Sequence, residues 1–433
     1  MQLFQFSHLI LSGAVLALGS TISARGDSTV QVLDFDTALA GAVENNPLLA
    51  GLREQIEAAQ ARTRLAGSLP DPRLKYSYFG ESVQTRTGSQ EAIYSLSQTL
   101  PWLPKLSQQR EIAGDDVAIL EWAEQQAYDN LRRDTAQVFA EVNYLDRAVD
   151  ATRKSLDLLN ETEQVVRASV QTGGSVNSLL RLAVERERVQ DDLERFEREL
   201  SVQRHQLEAI LASDLDESVR LKPLPSVQEQ LPAKEVLQGE MLRANPELQA
   251  LARICEQAAR KVSLERQKRY PDVTVGVNYI ELDAADSTHS RAGEDPWSLT
   301  VEVNLPIWEG RNRASILDAR ATRRAEEQRY RNRQIQLRAE LGSILARLAD
   351  DLRREKRYRE DLIPLASQAL ENSRSAYEAG AVGIIELLDS ERALLDLTIV
   401  HARAHADSIQ NQSRLDALVR GGGPRVMKPL SDQ

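Results

Sequence analysis

Two long stretches of the chain carry mostly apolar residues at the spacing of a coiled-coil helix. In the first, steps of four and three residues alternate along one stripe: Leu131, Thr135, Val138, Val142, Leu145, Val149, Thr152, Leu156, Leu159, Glu163, Val166 and Val170. This spacing predicts a helix from about 107 to 172 that packs along a partner helix. A second long helix is predicted from about 311 to 379. At a rise of 1.5 Å per residue, each helix spans roughly 100 Å.

Four shorter segments alternate with a period of two, which predicts β-strands. They lie at about 73–80, 91–100, 272–281 and 297–305, and polar loops at 81–90 and 282–296 join them in pairs. One face carries Val, Leu, Tyr and Trp, and the other carries ionic and hydroxyl groups. Strands of this length can cross a bilayer when tilted. A small sheet packed on the helices of a soluble protein remains the alternative. Because four strands cannot close a barrel, a barrel in a membrane would need several chains.

Four short sequence motifs occur twice along the chain, in the same order and at nearly the same spacing. This pattern predicts two tandem copies of one structural unit. We call these motifs landmarks. The landmarks recur as follows: Asn46-Pro47 as Asn245-Pro246, Pro70-Asp71 as Pro271-Asp272, Leu100-Pro101-Trp102 as Leu305-Pro306-Ile307-Trp308, and Gly174 to Glu185-Arg186 as Gly380 to Glu391-Arg392. Each copy is predicted to contain a helix, two strands, a very long helix, a turn and a returning helix. The predicted bounds are 25–230 for the first repeat, 231–420 for the second and 421–433 for a C-terminal tail.

Composition narrows the class of protein. The 433 residues are 42% hydrophobic and 27% charged, with a net charge of −11. A mean hydropathy of −0.42 argues against a bundle of membrane-spanning helices, which need runs of about 20 apolar residues. The acidic balance argues against a nucleic-acid partner. A single cysteine, Cys255, excludes an intrachain disulfide framework and a Cys-rich metal site.

The first residues predict export. An apolar run at 9–18 has the length of a signal-peptide core, and small residues follow it up to Ala24. We therefore expect a signal peptide at 1–24, with a buried N-terminal helix as the alternative. No cysteine stands at the expected cleavage point after the run, so we expect no lipid at the processed N-terminus.

Glycines predict the points where each long helix reverses. They are Gly173 and Gly174 in the first repeat, and Gly380 with Gly383 in the second. Just after the second turn, Glu386 and Asp389 stand three residues apart and therefore on one helix face. The sequence supports two hypotheses for the role of this acidic pair. The carboxylates complement the helix dipole, or they form a ring of charge that favours cations where several chains close around an axis.

The sequence carries no strong signal for an enzyme, since a P-loop, a dinucleotide fingerprint and a nucleophile elbow are all absent. His401 and His405 have an i, i+4 spacing that can bind a metal ion, but no carboxylate motif accompanies them. We expect them to be ordinary exposed or tunnel-facing side chains. Neither catalysis nor a resident metal or cofactor is expected, and energy for transport would come from a partner.

Taken together, the duplicated plan, the Asn-Pro and Pro-Asp landmarks, the Leu-Pro strand exits and the segment from Tyr377 to Asp389 resemble the TolC family of outer-membrane efflux proteins. The resemblance covers residues 33–420. It implies a fold that is mainly α with a β-barrel portion. In that fold, a homotrimer closes one twelve-stranded barrel in outer-membrane lipid, and coiled helical hairpins continue it as a periplasmic tunnel.

The resemblance also implies roles for individual residues. Glu386 and Asp389 match the acidic constriction of a periplasmic gate, and Tyr377 matches a tyrosine that helps to hold this gate. The family arginine two residues after the glycine is replaced by Val382, so the gate is expected to be held differently. The turns that would dock a periplasmic adaptor (membrane fusion protein) are formed by Gly173, Gly174, Ser175, Val176, Asn177, Ala379, Gly380, Ala381, Val382, Gly383 and Ile384.

The implied function is passive conduction of substrates that an inner-membrane pump of the resistance-nodulation-division type expels. Within the family, the segments 70–74 and 97–106 resemble the heavy-metal and copper-resistance branch, which points to metal cations as one cargo. The alternative is a periplasmic coiled-coil scaffold or adaptor of an export system without its own pore. An adaptor would show one helical hairpin between β-modules and no duplication.

Overall fold

The computed structural model describes residues 32–85, 88–171, 173, 175–216, 218–228, 230–283 and 294–419. The predicted signal peptide 1–24 and tail 421–433 lie outside the described residues. The elements of the first half are β1 (Val32–Leu33), α1 (Phe35–Asn45), α2 (Pro47–Ala66), β2 (Arg73–Thr85), β3 (Gly88–Leu100), α3 (Leu103–Gln171) and α4 (Val176–Leu211). Those of the second half are β4 (Arg220–Leu221), α5 (Lys234–Ala244), α6 (Pro246–Gln267), β5 (Val273–Asp283), β6 (Trp297–Val303), α7 (Glu309–Arg357), a π-helical turn (Tyr358–Leu362), α8 (Ile363–Glu378) and α9 (Ile384–Val419).

Each Asn-Pro landmark separates two helices instead of lying inside one. The Asn46 Oδ1 accepts the N–H groups of Leu48 at 2.9 Å and Leu49 at 3.1 Å, which caps α2. Asn245 caps α6 in the same way through the N–H of Leu248 at 3.0 Å. Proline suits the first helical position because its missing N–H would have no partner there. The caps explain why one helical pattern yields two helices in both repeats.

The four long strands form one antiparallel sheet in the order β2-β3-β5-β6. The two hairpins have equivalent registers: Leu74 lies opposite Leu96 in the first, and Val275 lies opposite Val301 in the second. The pairing of β3 with β5 joins the repeats. β2 extends to Thr85 and β3 begins at Gly88, so most of the predicted loop 81–90 is strand. Within this sheet, β2 and β6 each have one unpaired edge.

The helical body is built around α3, which has 69 residues and packs against α2, α4, α6 and α9. Its core is divided into clusters along its length, around Phe139, around Leu159 and around Leu341. A thin, elongated core of this kind follows from the narrow apolar stripe of a coiled coil. Among the described residues, no helix is both long and apolar enough to cross a membrane.

The second long helix is interrupted, although the sequence pattern predicted it to be continuous from about 311 to 379. A π-helical turn at Tyr358–Leu362 separates α7 from α8, and Pro364 is the second residue of α8. Proline has no N–H to donate and crowds the carbonyl four residues earlier. A one-turn widening of the helix accommodates both effects.

Candidate functional site

The two helical hairpins reverse at glycines whose backbone is left-handed. Gly173 follows α3 with a φ of +106°, and Gly380 follows α8 with a φ of +71°. Residues with a Cβ rarely adopt this region, so both turns favour glycine. The Gly380 N–H donates to the Tyr377 carbonyl at 2.9 Å. The Ala381 N–H donates to the Ala376 carbonyl at 2.8 Å, and both bonds satisfy carbonyls at the helix end.

Most of the predicted docking residues lie on the surface of these two turns. The exposed residues are Gly173, Ser175, Val176, Asn177, Ala379, Gly380, Ala381 and Gly383. Gly174 lies outside the described residues, and Val382 is half-buried. Ile384 is only 4% exposed. Its side chain supports the turn from inside and is not presented to a partner.

Glu386 and Asp389 lie together on an exposed face at the start of α9. With Ala366 and Ala369 of α8 they line an open hollow of about 570 Å³. The small alanine side chains leave both carboxylates accessible. Within the described residues, no group of three or more His, Cys, Asp or Glu side chains is arranged to hold a metal ion. The pair places negative charge beside the second turn.

Tyr377 lies in the last turn of α8, half-buried against an apolar cluster between the two hairpins. We call this the tip cluster; its buried members are Leu159, Val166, Leu182, Val189, Ile384, Leu387 and Leu388. Burial raises the pKa of the Tyr377 hydroxyl. Nearby, the hydroxyls of Ser373 and Ser390 form a hydrogen bond of 2.9 Å between α8 and α9. Tyr377 and this bond hold the second hairpin together at its turn.

An ion pair beside the tip cluster joins the two repeats. The Arg392 Nε of α9 donates to Glu185 Oε1 of α4 at 2.8 Å, and its Nη2 donates to Oε2. The Glu185 side chain is 7% exposed and that of Arg392 is 40% exposed. Two-point pairing is strong and orients both groups, and it raises the pKa of Arg392. The equivalent Arg186 pairs instead with Glu163 of its own hairpin, at 2.8 Å.

The neighbouring Glu391 is a buried carboxyl group between α9 and α3. It is 5% exposed, and its Oε1 accepts the Ser155 hydroxyl at 3.0 Å. Burial raises the pKa of Glu391 to about 7. The negative charge of Glu185 acts in the same direction, and the Ser155 bond opposes it. A group with this pKa changes its charge near neutral pH.

Sequence reasoning used Glu185-Arg186 and Glu391-Arg392 only as landmarks of the duplication and gave them no role. A signal was present, because each glutamate follows a buried leucine by three residues and continues the apolar face of its helix. An acid at a core-facing position indicates a buried partner. The partner of each glutamate depends on how α4 and α3 pack against α9. The local sequence pattern of one helix does not specify this packing.

The prediction of exposed or tunnel-facing histidines is wrong for His405, which is 8% exposed. Its Nδ1 lies 2.9 Å from Glu355 Oε1 of α7, and the Ser408 hydroxyl donates to Glu355 Oε2 at 3.2 Å. Burial alone would raise the pKa of Glu355, but the bonds from His405 and Ser408 and the His405 charge outweigh it and lower that pKa. His401 is half-buried, and burial lowers its pKa. The facing carboxylate explains why a histidine is stable inside this hairpin.

The opposite end of the molecule carries a band of exposed apolar side chains on one face of the sheet. The members of this apolar band are Leu74, Tyr76, Tyr78, Tyr94, Leu96, Val277, Tyr279, Trp297, Leu299, Val301 and Val303. Leu74 is 76% exposed, and all seven residues of β6 are exposed. Large contiguous apolar patches mark surfaces that contact lipid or other proteins.

Comparison with known proteins supports the resemblance to outer-membrane efflux proteins that the sequence motifs indicate. Residues 237–420 match the family model described as outer membrane efflux protein. The chain is 22% identical to Nodulation protein T of Rhizobium leguminosarum bv. viciae over 410 residues, which cover 90% of this chain and 83% of the relative. It is also 22% identical over 397 residues to the cobalt-zinc-cadmium resistance protein CzcC of Cupriavidus metallidurans, covering 89% of this chain and 90% of the relative.

The fold is shared with a solved outer-membrane protein. The structure of VceC from Vibrio cholerae superposes with a TM-score of 0.73 at 19% sequence identity, covering 90% of this chain and 96% of that one. The predicted resemblance to outer-membrane efflux proteins is confirmed, as is the mainly helical fold class. The matched family consists of efflux proteins, in agreement with the expectation that the chain is not an enzyme.

Proposed function

We propose, from this confirmed likeness to outer-membrane efflux proteins, that the chain is the exit duct of a tripartite efflux system in the outer membrane. It would passively conduct substrates that an inner-membrane pump expels through a periplasmic adaptor. Export through the predicted signal peptide would bring the chain to this location. The proposal rests on the difference between the two ends of the molecule: one end carries the apolar band of the sheet, and the other carries the exposed helical turns.

One observation carries the proposal: a single helix separates the apolar band from the helical turns. Two residues separate the end of β3 from the start of α3. α3 ends at the first turn, and its 69 residues span about 100 Å at 1.5 Å per residue. β2, β3 and β5 have 13, 13 and 11 residues, enough to cross a bilayer when tilted. An apolar sheet at one end and polar helices beyond it suit a protein that spans the membrane and reaches into the periplasm.

The unpaired edges of β2 and β6 imply that more than one chain is needed. In hydrocarbon, each unpaired backbone group costs several kcal/mol, so only closed barrels or helices are stable there. Three copies with four strands each would close the twelve-stranded barrel that the resemblance implies. The side chains on the polar face would then line a water-filled channel.

The helical turns would form the periplasmic entrance. Glu386 and Asp389, which are exposed beside the second turn, would surround the axis of a trimer and favour cations. The exposed residues of the two turns, such as Val176 and Ala381, would contact the adaptor. A passive duct needs an energy source elsewhere, so an inner-membrane pump is part of the proposal, and we take it to be of the resistance-nodulation-division type that the family resemblance implies.

Metal cations are the proposed cargo class. The similarity to CzcC, whose name refers to cobalt, zinc and cadmium resistance, supports this choice. The acidic pair at the entrance is compatible with positively charged substrates. Drugs and secreted polypeptides are the competing cargoes.

Fractionation of cells that express the chain tests the location. We expect recovery in the outer-membrane fraction as an oligomer that resists mild detergent. Recovery as a monomer in the soluble periplasm would overturn the channel and favour the coiled-coil scaffold.

Survival of a deletion strain tests the cargo. Growth is measured on cobalt, zinc, cadmium and copper, and on detergents and antibiotics, with and without the restored gene. Sensitivity to metals that the restored gene reverses supports cation efflux. Sensitivity only to detergents and antibiotics would contradict it.

A further inference from the structure

A groove lined by arginines lies between α6 and α7, close to the end of the sheet. It has a volume of about 850 Å³. Arg266 lines it from the last turn of α6, Arg269 from just beyond that helix, and Arg313 and Arg320 from the first turns of α7. All four residues are exposed. We call this the arginine groove. Four positive charges around one cavity attract anions, although the whole chain has a net charge of −11.

Most of this positive charge has no counter-charge within the chain. The Arg313 Nη2 donates to Glu309 Oε2 at 2.6 Å. Among the residues that the structure describes, Arg266, Arg269 and Arg320 form no ion pair with a carboxylate. A guanidinium group presents its N–H donors in a planar fork that matches the oxygens of a phosphate group. Three such groups around one cavity are therefore suited to a phosphate ligand.

The arginine cluster is not required by the packing of the helices. In the first predicted repeat, α2 packs on α3 as α6 packs on α7 in the second. The landmarks give the positions of the first repeat that are equivalent to the four arginines: Leu65, Ser68, Ser107 and Gly114. None of these four carries a positive charge. The same helix packing thus forms without arginines, which indicates that the cluster interacts with something outside the chain.

The arginine groove also has an apolar side. Tyr270 and Leu317 line it and are 52% and 60% exposed. The buried Ile316 lines it as well. A free inorganic anion gains nothing from apolar surface, whereas a ligand with a phosphate group and a hydrocarbon part would cover both sides of the groove. The mixed lining therefore favours an amphipathic phosphate ligand.

A polar atom without a partner lies in the same lining. Gln267 lines the arginine groove, and its Oε1 is buried without a hydrogen-bond partner in the described part of the chain. A buried acceptor that lacks a donor is unfavourable. A ligand that carries a hydroxyl group next to its phosphate would supply this donor.

The position of the groove agrees with the headgroup layer of a membrane that the sheet would span. Arg269 lies four residues before the first residue of β5. Arg313 is the fifth residue of α7, about 6 Å along the helix axis, and a headgroup layer is about 5–7 Å thick. The ring of Tyr270 stacks on that of Trp102, with centroids 5.2 Å apart. Tyrosine and tryptophan are enriched at the boundary between hydrocarbon and water.

We propose that the arginine groove binds the headgroup of an anionic phospholipid of the phosphatidylglycerol class, from the periplasmic leaflet of the outer membrane. The three unpaired guanidinium groups would donate to the phosphate, and a glycerol hydroxyl would donate to Gln267 Oε1. The acyl chains would leave the groove along Tyr270 and Leu317. The proposal rests on the outer-membrane location proposed above.

Binding of a short-chain phosphatidylglycerol tests the ligand. Full-length protein is purified in detergent and depleted of lipid. Its melting temperature is then measured with dihexanoyl phosphatidylglycerol, with phosphatidylcholine of the same chains, and with inorganic phosphate. We expect phosphatidylglycerol to raise the melting temperature at concentrations at least about ten times lower than phosphatidylcholine. Equal effects of the two lipids would overturn the proposal. An equal effect of inorganic phosphate would show that the groove takes a free anion and would overturn the lipid.

Neutral substitutions test the groove. Arg266→Gln, Arg269→Gln and Arg320→Gln are combined in one variant, which should bind phosphatidylglycerol at least about ten times more weakly because charge-assisted bonds to the phosphate are lost. Its melting temperature without lipid should stay close to that of the wild type, since the three residues are exposed. Unchanged binding of phosphatidylglycerol would overturn the site.

The matched control removes the same charge from exposed positions farther along α7. It combines Arg331→Gln, Arg338→Gln and Arg347→Gln. The first of these positions lies 22 residues beyond the start of α7, about 33 Å along the helix axis and beyond the reach of a headgroup layer. We expect this variant to bind phosphatidylglycerol as the wild type does. Equal losses in the two variants would indicate an effect of net charge alone and would overturn the site.

Photolabelling of the unaltered protein tests the location without any substitution. A phosphatidylglycerol analogue that carries a diazirine near its headgroup is added and irradiated, and the labelled peptides are identified by mass spectrometry. We expect labels in the segments 263–270 and 313–320, which line the groove, in excess over a matching phosphatidylcholine analogue. No such excess, in protein recovered from the outer membrane as a detergent-stable oligomer, would overturn the lipid site while leaving the channel intact. Recovery as a soluble periplasmic monomer would overturn both.

Discussion

Arg392 of the second repeat holds Glu185 of the first through a two-point ion pair, with its Nε 2.8 Å from Glu185 Oε1. The carboxylate is almost fully buried, while the guanidinium is partly exposed. The pair lies beside the tip cluster, where both hairpins reverse. It therefore links the packing of the repeats to the conformation of the proposed entrance.

Replacing Arg392 by alanine should loosen this end of the molecule, because the buried Glu185 carboxylate would lose its two-point partner and keep only the longer contact with Arg188 at 3.8 Å. Because Arg392 is partly exposed, the loss is smaller than for a fully buried pair. We expect the free energy of unfolding to fall by about 1–3 kcal/mol, the cost of leaving a buried acceptor without its donor. We expect a lower melting temperature for the detergent-solubilised protein. Single-channel recordings in planar bilayers should show a higher conductance.

Arg188→Ala is the matched control. The Arg188 Nη1 lies 3.8 Å from the same Glu185 carboxylate, and its side chain is 53% exposed. Exposed pairs contribute less than about 1 kcal/mol, so this change should have little effect. Equal losses for Arg188→Ala and Arg392→Ala would contradict a special role for Arg392.

Glu391 should make stability depend on pH. Burial raises the pKa of Glu391 from 4.5 in the unfolded chain to about 7 in the folded chain. Between these values the folded chain holds more protons than the unfolded chain, so the free energy of unfolding falls as pH rises. The full decrease is about 3 kcal/mol, at about 1.4 kcal/mol per pH unit. Glu391→Gln should remove this decrease and keep the bond from Ser155.

The measurement is the melting temperature of the wild type and of Glu391→Gln at pH 5, 6, 7 and 8. Glu187→Gln serves as the control, because the Glu187 side chain is 69% exposed. The melting temperatures of the wild type and of Glu391→Gln should differ most above pH 7, and those of the wild type and of Glu187→Gln should stay parallel. Parallel curves for the wild type and Glu391→Gln would mean that the pKa of Glu391 is the same in the folded and unfolded chains, which would contradict the prediction.

Lys105 should stabilise the junction of sheet and helices. Its side chain is 11% exposed and holds both the Asp272 carboxylate and the Tyr270 carbonyl. Lys105→Met keeps most of the side-chain volume but leaves these acceptors without the donor, at a cost of about 1–3 kcal/mol. The melting temperature should fall, and the exposed Lys154→Met should leave it unchanged. Similar melting temperatures for the two variants would mean that Lys105 contributes only packing.

Removal of charge at the entrance should change ion conduction. With Glu386→Ala and Asp389→Ala combined, we expect a higher single-channel conductance and a lower preference for cations, because both side-chain bulk and negative charge are lost. The control is Glu371→Ala with Glu378→Ala on the exposed surface of α8. If conductance and selectivity both stay at wild-type values, Glu386 and Asp389 do not form the constriction.

Periodicity predicted the long elements well, because a coiled-coil helix and an amphipathic strand each repeat one local rule over many residues. Periodicity did not predict the points at which the helices are interrupted. Asn46 and Asn245 end a helix by capping the next one, and Pro364 widens a helix without ending it. Each of these interruptions depends on a single residue. A periodic pattern is defined over many residues and therefore does not report it.

The partners within the buried polar pairs could not be predicted, although the core-facing positions of Glu185 and Glu391 carried a signal of burial. Glu185 lies 207 positions from Arg392, and Glu355 lies 50 positions from His405. A charged residue on a helix does not by its local pattern identify such a distant partner. The meaning of these pairs appears only when helices from different parts of the chain are packed side by side.

By itself, the sequence predicted two repeats, and it determined the strand and helix types, the reversal points at glycine and the resemblance to outer-membrane efflux proteins. These follow from spacing along the chain. The tertiary structure decided which strands pair, which edges of β2 and β6 stay open, and which carboxyl groups are buried. The physical reason is that pairing and burial are properties of two surfaces in contact, and a local pattern describes only one of them.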